Sequence, residues 1–425
     1  MRNPGPSPRS VSLGMPSFAP SDRGTHALAS PIRRLTPYAD AAKARGVAVL
    51  HLNIGQPDIA TPANVLQAYK SFSEPVLAYG PSEGTLAYRT ALCGYYNGLG
   101  MAAAGRPIEP ADIVVTTGGS EALLFAIAAT CDPGDDILVV EPYYPNYRGF
   151  AHLLGVGTRA VTTTADTGYT VTAAEIAAGL GPRTRAVLLS SPGNPTGAVL
   201  SSADLRAIAT LCRDRGVFLV SDEVYRDFVY DEPICEGGTT APSLLTQAGF
   251  DDCAILIDSV SKRYSACGAR IGCLVTRNAA VRAAVLKFAQ TRLSPPVVDQ
   301  HAAHAALATP AAELKMAIAD YRHRRDALVA GLAAVPGVAA PMPAGAFYLF
   351  ARLPVDDAER FCIFLLNEFN VAGETVMLAP ADGFYTTPGL GKDEVRIAYV
   401  LEVPKLMRAC EILRQALAAY PGKTN

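Results

Sequence analysis

Lys262 stands in the string Ser259-Val260-Ser261-Lys262, with Gly268, Arg270 and Gly272 close behind it. It is one of eight lysines among 37 basic residues, and it follows the apolar run Ala254-Ile255-Leu256-Ile257. A primary amine at a strand end can form a Schiff base with an aldehyde cofactor. The Ser259 hydroxyl and the planar guanidinium of Arg270 suit a phosphate on the same cofactor. A merely solvated lysine would give the same string, so the weight falls on the other groups such chemistry requires.

Each of those groups has a candidate. Thr116-Thr117-Gly118-Gly119-Ser120-Glu121 opens a helical stretch, and a helix N-terminus with close-approaching glycine backbone binds anions. Asp222, in Val220-Ser221-Asp222-Glu223-Val224-Tyr225, is a strand-end carboxylate able to keep a ring nitrogen protonated, with Tyr225 in reach of a ring hydroxyl. In Ser191-Pro192-Gly193-Asn194-Pro195-Thr196-Gly197 the turn residues leave Asn194 as a positioned amide. Glu141-Pro142-Tyr143-Tyr144-Pro145 offers aromatics for stacking on a ring. Arg396 is a lone cation in the apolar run Val395-Arg396-Ile397-Ala398-Tyr399; a buried guanidinium requires a partner, and a substrate carboxylate would be a bidentate one. Taken singly, these strings also read as a tight βα turn, a helix-capping aspartate, a plain turn and a structural ion pair.

The elements around them explain their placement. Ile113–Val115, Ile137–Val140, Ala186–Leu189, Val217–Val220 and Ile255–Ile257 are short apolar strands alternating with helical stretches such as Ser120–Cys131 and Leu205–Arg213, the latter capped by Ser201 or Ser202. That alternation predicts a parallel sheet covered on both faces, whose ligands collect at the carboxyl ends of the strands. After residue 310 the pattern changes to a long helix over Glu313–Leu332, a strand at Phe347–Phe350, a helix near Glu359–Phe369, a strand at Val395–Val400 and a closing helix to Ala419, which reads as a smaller α+β domain. The expected organisation is a disordered tail over 1–29, an arm over 30–65 joining the small domain, a large cofactor-binding domain over 66–310 and a small domain over 311–425. The tail is rich in Pro, Ser and Gly with Arg2, Arg9 and Arg23, and a start at Met15 would shorten it.

Composition narrows the function classes. A net charge of -2 on 425 residues gives no bulk attraction to nucleic acid or anionic membrane. No run approaches the roughly 18 uninterrupted apolar residues of a membrane span. Nine cysteines without paired spacing read as free thiols of a reducing compartment, so the cytoplasm is the expected location. His301 and His304 share a helix face without further ligands, and no metal is expected. Gly389-Leu390-Gly391-Lys392 fails the phosphate-loop spacing, since residue 386 is Thr and residue 393 is Asp.

Taken in order, and together with Asn53-Ile54-Gly55-Gln56-Pro57-Asp58 and Tyr79-Gly80-Pro81-Ser82-Glu83-Gly84, these strings resemble the class I/II aminotransferases, pyridoxal phosphate enzymes of fold type I. The resemblance runs from about Ser30 to the C-terminus. It implies an α/β fold with a mostly parallel, seven-stranded-type sheet flanked by helices, plus the smaller α+β domain. It also implies that Lys262 forms the Schiff base with pyridoxal 5'-phosphate and later moves the proton. Asp222 pairs with the pyridine nitrogen, Asn194 and Tyr225 bond the ring oxygen, and Tyr144 stacks on the ring. Gly118, Gly119, Ser120, Ser259 and Arg270 hold the phosphate, joined by Tyr79 from a neighbouring subunit, so a homodimer with shared active sites follows. Arg396 grips the α-carboxylate, with Gly55 and Asn194 beside the substrate.

For the substrate, Val371-Ala372-Gly373-Glu374 through Lys392 resembles a bacterial branch described as aspartate aminotransferases. One aspartate-recognition device of related branches, a lysine where this chain has Ser120, is absent. Arg292, in Thr291-Arg292-Leu293-Ser294-Pro295-Pro296, reads either as the ligand of a second carboxylate or as a surface or domain-bridging arginine. Arg33 and Ile32 on the arm can border the site as well. The expected activity moves the α-amino group of an L-amino acid, aspartate favoured, to a 2-oxo acid such as 2-oxoglutarate. The alternatives are transamination of aromatic or other neutral amino acids, and a β/γ-lyase on the same fold. An effector-sensing regulator borrowing the fold would carry an extra DNA-binding domain, for which the N-terminal stretch is too short.

Overall fold

The computed structural model describes residues 18–230 and 240–424; the first 17 residues of the expected tail, with Arg2, Arg9 and Met15, lie outside the described residues. Residues 18–29 carry a single helical turn, Asp22–Thr25, capped by the Ser21 hydroxyl. Strand β1 (Ala48–His51) follows the helix Thr36–Ala44. Then come β2 (Ile113–Thr116), β3 (Asp136–Glu141), β4 (Gly157–Thr162), β5 (Thr184–Ser190), β6 (Phe218–Asp222), β7 (Ala254–Ser259) and β8 (Gly272–Val275). These form a seven-stranded sheet in the order β2-β8-β7-β6-β5-β3-β4.

Alternate residues of the strands enter opposite cores, which is why the strands read as unbroken apolar runs. Val114, Ile137, Val139, Leu188, Ile255 and Ile257 pack with the helices Gly118–Thr130, Asn146–Leu154 and Ala279–Arg292. Val115, Leu138, Val187, Leu189, Leu219 and Leu256 pack on the other face with Leu86–Gly98, Ser202–Asp214 and Val297–Ala306. Each such fully buried side chain contributes about 1.5–3 kcal/mol. Strand β8 runs antiparallel to both of its neighbours, while the remaining pairs are parallel. The edge strand β4 has no apolar run in its sequence and is only half-buried, so periodicity gave no sign of it.

The rest of the chain builds a second core. Strands β9 (Tyr348–Arg352), β10 (Glu374–Met377), β11 (Ala379–Pro380) and β12 (Glu394–Ala398) follow the long helix Ala311–Ala333. β12 pairs antiparallel with β11 and β9, and β10 pairs in parallel with β1, which ties the arm to this part of the molecule. Leu35, Leu328, Phe361, Leu365, Val395, Leu406 and Leu413 fill this core, and Tyr225 and Phe228, from the loop after β6, join it. Among the described residues no helix is long and apolar enough to cross a membrane, and no group of three or more His, Cys, Asp or Glu could hold a metal. Cys235 lies outside the described residues; the other cysteines are free.

Candidate active site

Strands β2, β5, β6 and β7 end on one side of the sheet, and there a cavity of about 600 Å³ opens between the sheet and β9–β12. Its polar lining falls into three groups.

At one end is an anion cradle. The helix Gly118–Thr130 starts at Gly118, whose φ of +75° suits glycine, and a Cβ there would collide with the guanidinium of Arg270. A Cβ on Gly272 would lie 2.6 Å from the Gly118 carbonyl carbon and the Gly119 nitrogen. Both positions therefore need glycine for Arg270 and β8 to close on the helix start. Arg270 is held by donating to Cys267 O at 3.0 Å. The Ser259 hydroxyl donates to Ser261 Oγ at 2.8 Å and accepts from Ser261 N–H at 3.1 Å. Gly119, Ser120, Ser259, Ser261 and Arg270 all line this end, where aligned backbone donors favour an anion.

In the middle, β6 delivers Asp222 and the helix Val260–Arg263 delivers Lys262. The Tyr147 hydroxyl donates to Asp222 Oδ2 at 2.7 Å. Burial pushes the Asp222 carboxyl up to about 6, against the pull of the Tyr147 bond. Lys262 Nζ donates to Gly55 O at 2.9 Å and lies 5.9 Å from the centre of the Tyr225 ring. Tyr225 and Tyr348 share a hydrogen bond of 2.6 Å between their hydroxyls. Tyr144 meets Tyr147 edge-on at 5.6 Å, its hydroxyl accepting from Asn146 Nδ2. Beneath this floor, Arg226 bridges Glu223 and Asp258, each at 2.9 Å, and Asp258 also pairs with Arg263. Burial works to raise Asp258, but Arg263 and Arg226 outweigh it and hold the carboxyl below its ordinary value. The neighbours of Asp222 and Lys262 in the chain are thus locked to each other.

At the third side stands Arg396 from β12, 1% exposed. It donates from Nη1 to Asn194 Oδ1 at 2.9 Å and from Nη2 to Asn53 O, and lies 4.4 Å from the centre of the Tyr348 ring. Its Nε has no partner, and among the described residues no carboxylate pairs with it. A structural ion pair does not account for this charge.

Lys262, Asp222, Tyr225, Tyr144, Asn194, Gly55, Gly119, Ser120, Ser259, Arg270 and Arg396 therefore meet in one cavity, with Gly118 directly behind Arg270. Arg292 does not join them, and Tyr79, expected to serve a neighbouring subunit's site, is not in this one. Tyr79 is 83% exposed and away from the lining. Arg292 lies outside it too, with Nε 3.3 Å from Glu121 Oε1 and Nη2 donating to the carbonyls of Ser82 and Val115. Conversely, Tyr147, Tyr348, Ser261 and Asn53 escaped the sequence reading as site residues. Ser261 carried a signal in the same hydroxyl run as Ser259, and Asn53 in the string over 53–58; Tyr147 and Tyr348 matter through contacts distant in the chain.

The family profile "Aminotransferase class I and II" matches residues 47–413. The chain belongs to this family. It is a pyridoxal phosphate-dependent aminotransferase of fold type I. An aspartate aminotransferase of Rhizobium meliloti is 30% identical to this aminotransferase over 418 residues, covering 94% of this chain and 96% of that one. An LL-diaminopimelate aminotransferase of Desulforudis audaxviator is 33% identical, covering 91% and 97%. Among solved structures, an aspartate aminotransferase from Thermus thermophilus with maleate superimposes with a TM-score of 0.83 at 27% identity, covering 94% of the aminotransferase described here and all of the other chain. The residues present suit the family's cofactor: glycine backbone and Arg270 form a cradle that a phosphate could enter, and a buried carboxylate and a lysine amine line the same cavity.

Proposed function

We propose that this aminotransferase moves the α-amino group of an L-amino acid, aspartate favoured, to a 2-oxo acid such as 2-oxoglutarate. The observation that carries the reading is Arg396, a buried guanidinium with an orphaned Nε and no carboxylate partner among the described residues, in the same cavity as Lys262. An α-carboxylate supplies the missing anion in bidentate geometry. Lys262 would anchor the cofactor through its amine and would be the base that moves the α-proton. Gly118, Gly119, Ser120, Ser259 and Arg270 would hold the phosphate, Asp222 the ring nitrogen, Asn194 and Tyr225 the ring oxygen, and Tyr144 the ring face. Pyridoxal phosphate supplies an electron sink for the carbon that loses its proton. Asp222 must be ionised for this, and Tyr147 favours that state. Tyr348 keeps Tyr225 aligned. The preference for aspartate is supported by the aspartate aminotransferases among the relatives and by the Thermus enzyme's complex with maleate, a dicarboxylate.

The enzyme in this reading is a homodimer. Val76, Leu77, Tyr79 and Leu86 are large side chains left exposed on one stretch of chain, a surface that a second subunit would cover, and Tyr79 is the residue this reading offers to the partner's phosphate.

A donor panel tests the reading, with aspartate, alanine, aromatic and branched amino acids each offered with 2-oxoglutarate. Ping-pong kinetics with one glutamate formed per oxo acid released are expected. Oxo acid released without any acceptor would instead mark a lyase. Arg396→Gln should raise KM for every donor at least about thirtyfold, the equivalent of about 2 kcal/mol for losing one partner of a buried charge pair.

A further inference from the structure

We infer that Arg33 is the residue that selects an acidic side chain, so that the donor is an amino acid with a second carboxylate. The inference rests on the transaminase reading above. Four cations line the cavity: Lys262, Arg270, Arg396 and Arg33. The first three serve the cofactor and the α-carboxylate. Arg33 is solvent-exposed at the cavity edge, and among the described residues no carboxylate pairs with it. Its neighbour Arg34 is paired with two carboxylates, Glu359 at 2.8 Å and Asp382.

The backbone of Arg33 is tied to the α-carboxylate clamp. Asn53 Nδ2 donates to Ile32 O at 3.0 Å, and the carbonyl of the same Asn53 accepts from Arg396 Nη2. One asparagine therefore joins the two arginines' supports. Around Arg33 the arm is fixed: Pro31 and Leu35 are buried, and Arg34 is pinned by two carboxylates. Both guanidiniums also act on one phenol. Burial pushes Tyr144 up to about 12, and Arg396 and Arg33 are the positive charges pulling it back. A substrate held by Arg396 thus has Arg33 as the remaining unpaired cation for its side chain, whereas Arg292 spends its charge on Glu121 outside the lining. In this proposal the two carboxylates of a dicarboxylate engage the two guanidiniums that line the cavity, whereas a neutral side chain leaves Arg33 in water.

The test compares Arg33→Gln and Arg33→Lys with the wild-type holoenzyme, titrating maleate and propionate by calorimetry and measuring kcat/KM for aspartate and alanine with 2-oxoglutarate. In Arg33→Gln the maleate Kd should rise at least about tenfold, as expected for loss of a charge-assisted hydrogen bond, and the ratio of kcat/KM for aspartate over alanine should fall to the same degree. The propionate Kd should change much less, and Arg33→Lys should recover part of the loss. Equal weakening of maleate and propionate would overturn the inference in favour of a structural role for the arm, and so would no change in either. A wild-type enzyme that transfers amines but does not favour maleate over propionate would sink Arg33 alone. One that transfers no amine from any donor would sink the transaminase reading itself.

Discussion

Tyr147 donates its hydroxyl to Asp222 over 2.7 Å, and both side chains are buried. Without the cofactor, burial leaves the Asp222 carboxyl at about 6, above its ordinary range, while the tyrosine favours the ionised form. Cofactor binding needs the carboxylate, so affinity for pyridoxal phosphate should weaken as pH falls through about 6. Removing the donor in Tyr147→Phe raises the carboxyl further and moves that loss to higher pH, by roughly 0.5–1 unit for a hydrogen bond of about 1 kcal/mol. Reconstitution titrations between pH 5 and 8 check this; an unmoved midpoint would show that Tyr147 does not tune Asp222.

The same shift has a consequence for the cofactor-free protein. A carboxyl raised in the folded state holds its proton more tightly than in the unfolded chain, so stability is lost as pH rises between about 4 and 6. The loss amounts to up to about 3 kcal/mol. Asp222→Asn removes the charge, so the cofactor-free variant should melt higher than wild type at pH 7 while losing activity. A lower Tm would contradict the burial argument.

Gly118→Ala forces a side chain into a left-handed backbone position and against Arg270. The expected result is a folded protein whose cofactor Kd rises at least about tenfold through loss of charge-assisted phosphate contacts. Equilibrium dialysis against pyridoxal phosphate measures it, and circular dichroism checks the fold. Unchanged affinity would mean that Arg270 does not serve the phosphate.

If Tyr79 reaches a partner's site, two dead variants should rescue each other. Lys262→Ala removes the lysine from its own site, and Tyr79→Ala removes the tyrosine from its partner's. Mixed under conditions of subunit exchange, they should form dimers with one intact site and regain part of the activity. No gain from chains shown to exchange would rule out the shared site.

The floor of this cavity was legible in the sequence because it is local. Lys262, Asp222, Asn194 and Gly119 each follow a buried strand whose apolar run announces it, and the parallel arrangement sends those strand ends to one place. Edge strand β4 was not legible, because a half-exposed strand such as Gly157–Thr162 needs no apolar run. Neither was the reversal of β8, since four buried residues read alike in either direction. The contacts of Tyr147, Tyr348 and Asn53 were not legible either, because they are made to partners 75, 123 and 343 residues away in the chain. Arg396 was legible as a lone cation in an apolar strand, but only the structure shows that no acidic residue among those described claims it.

Lys262 as covalent anchor is the claim on which the rest depends, and borohydride reduction of the holoenzyme followed by peptide mass mapping tests it most directly. Reduction turns the Schiff base into a stable carbon–nitrogen bond. The cofactor's mass is expected on Lys262 in the wild type, with neither label nor turnover in Lys262→Ala. A label on any other lysine, or ping-pong amine transfer that survives in Lys262→Ala, would contradict it.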